Sequence, residues 1–189
     1  MSVFFTSDLH LAHTNVIKWR PFDSLDEMHD VTTERWNGVV KADDVVFLLG
    51  DAVMGQRAET LPLLDRLNGS KALVPGNHDH IHPMFPKNRD RWREAYHQQF
   101  HGIFSPESIW SLGGQWVTLC HFPRSGDHTE QERYSEWRPA DDGAWLLHGH
   151  LHSHEPTSPD RPRQIDVGVD AWDFTPVSEE QLLAIMEER

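Results

Sequence analysis

Three short apolar runs most constrain how this chain can fold, because each ends on polar residues and the stretches between them are long enough for helices. Val3-Phe4-Phe5-Thr6-Ser7 ends at Asp8-Leu9-His10, and Val45-Val46-Phe47-Leu48-Leu49 ends at Gly50-Asp51. Lys71-Ala72-Leu73-Val74 ends at Pro75-Gly76-Asn77-His78-Asp79-His80. Runs of this length rich in β-branched and aromatic residues read as strands, and the second, apolar without alternation, reads as one buried on both faces. Between them, Ser24 is placed to cap a helix over residues 25–40, with Leu25, Met28, Val31, Trp36 and Val39 on an approximate helical stripe. Thr14 is placed to cap a shorter helix over 15–19. Residues 57–67 space Leu61, Leu64 and Leu67 helically, with Pro62 ill placed unless it lies in the first turn, and Asn68-Gly69 as the stop. The order β, α, β, α, β predicts an α/β fold with parallel strands, and in such sheets ligands sit at the strands' carboxyl ends.

The pattern continues downstream. A helix is predicted over residues 89–100. A hairpin is predicted from Ser108-Ile109-Trp110-Ser111-Leu112 through Gly113-Gly114 to Gln115-Trp116-Val117-Thr118-Leu119-Cys120, whose end runs into His121-Phe122-Pro123. Residues 123–143 are polar and punctuated by Pro and Gly, so they read as a long loop over the site. Ala144-Trp145-Leu146-Leu147 reads as a strand ending in His148-Gly149-His150-Leu151-His152. Residues 153–163 form a loop, 164–169 a strand, and 179–188 a helix capped by Ser178.

Composition narrows the function. The chain has 189 residues, the size of one ordinary domain spanning 1–189, and 38% hydrophobic residues, enough for a core. No apolar run reaches the roughly 18 residues of a membrane span, and no basic leader or cleavage site precedes Val3, so a soluble cytoplasmic protein is expected. A lone Cys120 excludes an internal disulfide and reads as a small buried hydrophobe. The net charge of −13 argues against an extended nucleic-acid surface and leaves room for a small phosphate substrate.

The strand ends collect Asp8, His10, Asp51, Asn77, His78, His121, His150 and His152. Carboxylates, an amide and imidazoles suit Mn, Fe or Zn. So many candidate ligands exceed one tetrahedral ion but serve two ions sharing a carboxylate. In Asp8-x-His10 and His150-x-His152, residues two apart face the same way if strand geometry persists.

In order, Asp8-x-His10, Gly50-Asp51, Gly76-Asn77-His78-Asp79, His121 and Gly149-His150-x-His152 resemble the motif set of calcineurin-like metallophosphoesterases. Residues 6–15 and 167–172 are similar to small bacterial and phage members of that family. The resemblance implies a two-sheet β-sandwich flanked by helices, layered α/β/β/α. It implies two divalent cations, manganese first, with Fe, Zn, Ni or Mg as alternatives. Asp8, His10, Asp51 and His152 would hold one ion, and Asp51, Asn77, His121 and His150 the other. A hydroxide bridging the ions would be the nucleophile and His78 the general acid. The protein phosphatase branch has a second Asp where Met54 stands here, which leaves Asp79 as the candidate to orient His78. His13, three residues past His10, and Arg124, beside His121, are candidate phosphate contacts.

The function expected is hydrolysis of small phosphodiesters or phosphomonoesters such as nucleotides. The alternatives are a nuclease acting on DNA or RNA ends and a non-catalytic scaffold of the same fold. His80, His82, His97, His101, His128 and His154 are read as ordinary polar residues, and His148 as a surface or packing residue.

Overall fold

The computed structural model describes residues 1–188. In chain order the elements are β1 (Val3–Thr6), α1 (Leu25–Val39), β2 (Val45–Leu48), α2 (Arg57–Thr60), β3 (Ser70–Leu73), α3 (Pro86–Gln99) and β4 (Gly102–Ile103). There follow β5 (Glu107–Leu112), β6 (Gln115–Cys120), β7 (Trp145–His148), β8 (Gln164–Asp166), β9 (Val177–Ser178) and α4 (Glu179–Glu187). The first sheet has the order β4-β3-β2-β1-β9, with β1 to β4 parallel and β9 antiparallel to β1. The second has the order β5-β6-β7-β8, a β5–β6 hairpin joined to parallel β7 and β8. The expected two-sheet α/β architecture is therefore the one adopted.

Alternation within each strand sorts the apolar residues into layers. Phe5, Phe47, Leu49 and Val74 of the first sheet's strands and their ends meet Val117, Leu119, Leu147, Ile165 and Val167 of the second, so one core lies between the sheets. The neighbouring Phe4, Val46, Leu48 and Leu73 point the other way and pack with Trp36, Tyr96 and Phe100 from the helical layer. On the outer side of the second sheet, Cys120, Phe122 and Leu146 lie beneath Met84, Tyr134 and Trp137, so residues 123–143 cover part of that face. Burial pushes the Cys120 thiol up to about 12, in keeping with a packing role.

Several local expectations need correction. Residues 57–67 form the short α2 followed by a 3-10 turn, Leu61–Arg66, because Pro62 lacks the N–H an α-helix needs there. The segment after Thr14 is a 3-10 turn, Val16–Lys18, without a side-chain cap. In α1 the buried face is Met28, His29, Thr32 and Trp36, while Val39 is 39% exposed, so the stripe is rotated from the apolar positions. His29 is buried because its Nε2 accepts the Ala12 N–H at 2.9 Å, a polar partner that hydrophobic patterning does not weigh. The strand over 164–169 stops at Asp166. The cap of α4 is a full capping box between Ser178 and Gln181. Among the described residues no helix is long and apolar enough to cross a membrane.

Candidate metal centre

The polar ends of both sheets converge. β1 and β7 stop at Thr6 and His148, and the residues beyond do not continue the strand geometry expected of them. Asp8, His10, Asp51, His150 and His152 all have left-handed backbones, with φ of 58°, 49°, 57°, 71° and 52°. Such conformations cost a non-glycine residue on the order of 1–3 kcal/mol each and gather at functional sites. Asp8 and His10 still share a side, 3.6 Å apart, and His152 joins them, whereas His150 turns toward Asp127. Two glycines make the approach fit. A Cβ on Gly149 would collide with Ser7 and the Asp8 carboxylate, and one on Gly76 with the Asp51 carboxylate and His121.

Asp51 Oδ2 lies 3.6 Å from His10 Nε2, 3.5 Å from His121 Nε2 and 3.9 Å from His78 Nε2. Asp8 Oδ1 lies 3.6 Å from His10 Nε2 and 3.9 Å from His152 Nε2. These gaps are too long for hydrogen bonds but near the spacing of two donors sharing one ion, about 3.4 Å for bonds of about 2.1 Å. Asp8, His10 and His152 offer one set of converging donors, and Asp8, Asp51 and His121 another. Asp8 Oδ1 and both ring nitrogens of His10 are buried without a hydrogen-bond partner. Buried polar atoms are otherwise almost always satisfied, so this donor set fits divalent cations.

Hydrogen bonds behind the imidazoles select which nitrogen faces the cluster. His121 Nδ1 bonds the Leu49 carbonyl at 2.8 Å, leaving Nε2 beside Asn77 Oδ1 at 3.0 Å. His152 Nδ1 bonds Asp170 at 2.8 Å, leaving Nε2 toward Asp8. Asp170 is held by two bonds from Arg20, at 2.9 and 2.8 Å, and Arg20 also donates to the Asp8 and Leu9 carbonyls. His150 donates its backbone N–H to Asp8 Oδ2 at 2.9 Å, and its Nε2 meets Asp127 Oδ2 at 3.0 Å. The supporting roles of Asp170, Arg20 and Asp127 are absent from the strand-end reading. Asp170 lies just beyond an apolar stretch, so the rule that picked out Asp8 extends to it.

His78 and Asp79 occupy different environments. The His78 side chain is 36% exposed, its backbone N–H reaches Asp51 Oδ1 at 2.8 Å, and its carbonyl accepts from Arg57 at 2.6 Å. Its ring centroid lies 5.4 Å from that of His10 and 6.1 Å from that of His13, so His13 belongs to the same cluster. Asp79 is fully buried, and its carboxylate accepts the backbone N–H groups of Asp51, Ala52 and Gly76 at 2.8, 3.2 and 2.8 Å. It ties the Gly50-Asp51 turn to the Gly76-Asn77 turn rather than bonding the His78 ring. Arg124 is also placed apart from the centre. The chain doubles back after Pro123, and the Arg124 guanidinium donates to the Ala144 carbonyl at 2.7 Å, at the amino end of β7. His128 and His82 are not free polar residues: His128 Nδ1 contacts the His150 carbonyl at 3.1 Å, and His82 is fully buried against Trp137. His148 is buried, as the packing reading expects.

The electrostatics are those of a site short of positive charge. Burial pushes the Asp51 carboxyl up, and Asp8 adds to that push against the opposing His121. Burial and then Asp51 push Asp79 up to about 6. Against its own burial, Asp8 is held well below the usual carboxylate range by His10, His121 and His152. Burial pulls His10 well down, and His13 and His78 to about 4.

The profile of the calcineurin-like phosphoesterase family matches residues 1–175. The Gene 66 protein of Mycobacterium phage L5 is 39% identical over 184 residues, covering 90% of this chain and 87% of the phage protein. The Gene 66 protein of Mycobacterium phage D29 is 39% identical over 188 residues, covering 94% and 93%. A solved structure, the protein of unknown function AQ665 from Aquifex aeolicus, superimposes with a TM-score of 0.74 at 25% identity, covering 97% of this chain and 98% of that one. With its motifs in order, its strand ends converged and the family profile spanning most of its length, this chain belongs to the calcineurin-like phosphoesterase family.

Proposed function

We propose that this protein hydrolyses phosphate esters of small substrates, phosphodiesters or phosphomonoesters such as nucleotides, with two divalent cations. The observation that carries this reading is the position of Asp51, whose Oδ2 is shared between His10 at 3.6 Å and His121 at 3.5 Å, beside the unpartnered Asp8 Oδ1. In this reading Asp8, His10, Asp51 and His152 hold one ion, and Asp51, Asn77, His121 and His150 the other. Manganese is the first choice for an oxygen- and imidazole-rich set. When bound, such a pair supplies charge to neutralise the phosphoryl oxygens and activates a water for in-line attack.

The chain's own groups do the rest. Asp79 stiffens the two turns that present Asp51 and Asn77. His78, the partly exposed imidazole of the cluster, is placed to meet a phosphate and deliver a proton to the leaving oxygen. With burial and then His121 holding it at about 4, it meets the substrate neutral at pH 7. The negative charge of the ester has to raise it before it acts as an acid. His13, whose ring lies 6.1 Å from that of His78, would make a second phosphate contact. The net charge of −13 favours a small substrate over a long nucleic acid, and a cytoplasmic setting accords with the lone buried cysteine.

The test uses bis(p-nitrophenyl) phosphate with added Mn²⁺. Asp51→Asn and His150→Ala should abolish metal-dependent turnover, and near wild-type rates in either would refute the reading. His78→Ala should slow esters with poor leaving groups far more than nitrophenyl esters; equal losses on both would remove the proton-donor role.

A further inference from the structure

The loop over residues 123–143 is polar, and its middle, from Thr129 to Glu132, is exposed. The side chain of Asp127, two residues before, is buried at 1% exposure. Its Oδ2 meets His150 Nε2 at 3.0 Å, its Oδ1 accepts from Arg133 at 2.8 Å, and Arg138 lies 3.6 Å away. Arg138 also donates to the Pro123 and Arg133 carbonyls at 2.9 Å each, closing the loop on itself. The neighbouring His128 contacts the His150 carbonyl. The loop packs His128 and Tyr134 beside the His150 ring, and its one carboxylate contact with the centre falls on a single nitrogen of that ring.

Asp127, His128 and His150 are close enough to suggest a further cation site. Arg133 argues against it, because its Nη2 lies 2.8 Å from Asp127 Oδ1 and 3.1 Å from His128 Nε2, where a cation would sit. The arrangement serves a different purpose. A carboxylate on one nitrogen of an imidazole keeps the proton there, orients the ring and makes the other nitrogen a better ligand. With His150 Nε2 taken by Asp127, Nδ1 is the ring nitrogen left for a metal in the two-metal reading. His152 is served in the same way by Asp170, but Asp170 is locked to Arg20 in the interior, whereas Asp127 belongs to a surface loop.

We infer that Asp127 is a positioning residue, through which docking of the 123–143 loop sets the affinity for the ion shared by Asn77, His121 and His150. This rests on the two-metal reading above. The two ions then differ in kind: the one near His152 is backed by the fixed interior, and the one near His150 is retained only with the loop in place.

The test is calorimetric titration of the metal-stripped protein with Mn²⁺, together with the electron paramagnetic resonance signal of an exchange-coupled Mn pair. Wild type should bind two ions. Asp127→Ala should weaken one binding step by roughly 10- to 100-fold, leave the other unchanged, and lose the coupled signal at ion concentrations where wild type shows it. Asp170→Ala should weaken the other step instead. Arg133→Gln leaves the carboxylate present but poorly anchored and should give a smaller loss at the same step as Asp127→Ala, which guards against misfolding of the alanine variant. Metal should also slow proteolysis within 123–143 in wild type and not in Asp127→Ala. Two unchanged binding steps in both loop variants would overturn the inference while leaving the two-metal reading intact. A single ion in wild type would overturn both.

Discussion

The two sheets bring unequal donor sets to the line where they meet, the carboxylates coming from one of them. The first presents both carboxylates, Asp8 and Asp51 with Asp79 behind them, together with His10, Asn77 and His78, on turns that follow parallel strands buried on both faces. The second presents imidazoles, His121, His150 and His152, from a sheet whose hairpin leaves Ile109 68% and Trp116 70% exposed. Neither sheet alone offers the donor set described above. The candidate centre is thus a property of the packing between the sheets as much as of its ligands, and disturbing that packing far from the donors should be felt at them.

The most severe way to test this is to open the shared core. Phe47 packs on Phe5, Phe104 and Trp110 with ring centroids 5.4, 5.5 and 4.5 Å away. Phe47→Ala should cost about 3–5 kcal/mol in urea unfolding and weaken Mn²⁺ binding as well. Unchanged affinity in a folded variant would show that the two sheets hold the centre independently.

A smaller perturbation acts at the seam itself. In Gly149→Ala the new methyl would press Ser7 and the Asp8 carboxylate, with an expected loss of about 1–3 kcal/mol and of the metal-induced rise in melting temperature. If that rise persists at full size, the second sheet does not position Asp8.

A third test concerns pH. His82 is buried between the turn after β3 and Trp137 over the second sheet, and burial pulls it down to about 4 from an ordinary 6.5. Its folded value is depressed, so the unfolded chain takes up the proton first. Stability is then fully present above about pH 6.5 and is lost as pH falls toward 4. His82→Gln should reduce the proton uptake on unfolding by up to about one in that window, measured from the slope of stability against pH. The smallest effect is expected at Arg124. Its guanidinium is engaged at the amino end of β7, so Arg124→Ala should change kcat/KM by less than about threefold, and a loss of 100-fold would return it to the phosphate.

The same contrast marks how far the sequence could be read. The first sheet was legible because its strands are uninterrupted apolar runs, and an acid or imidazole at the end of each is conspicuous. Even the convergence of distant strand ends could be anticipated, since parallel strands put their carboxyl ends together. The backbone beyond those ends could not, because a left-handed residue such as His10 leaves no compositional trace. Pro62 signalled trouble in its helix but not how the chain would resolve it. Asp127 was hidden because an acid in a polar loop looks solvated until the arginines that bury it, Arg133 and Arg138, are placed around it. Arg124 misled for the converse reason: its neighbour in sequence, His121, faces the centre, and the chain reverses direction between them.

The five left-handed backbones at Asp8, His10, Asp51, His150 and His152 have one more consequence. Glycine adopts that conformation without the penalty of a side chain, so at each of these positions it should give a more stable metal-free protein than alanine, by about 1 kcal/mol. The residues that make the centre are thus among the poorest choices for the fold around them. Selection for thermal resilience of the metal-free protein, with activity ignored, should favour glycine at these positions.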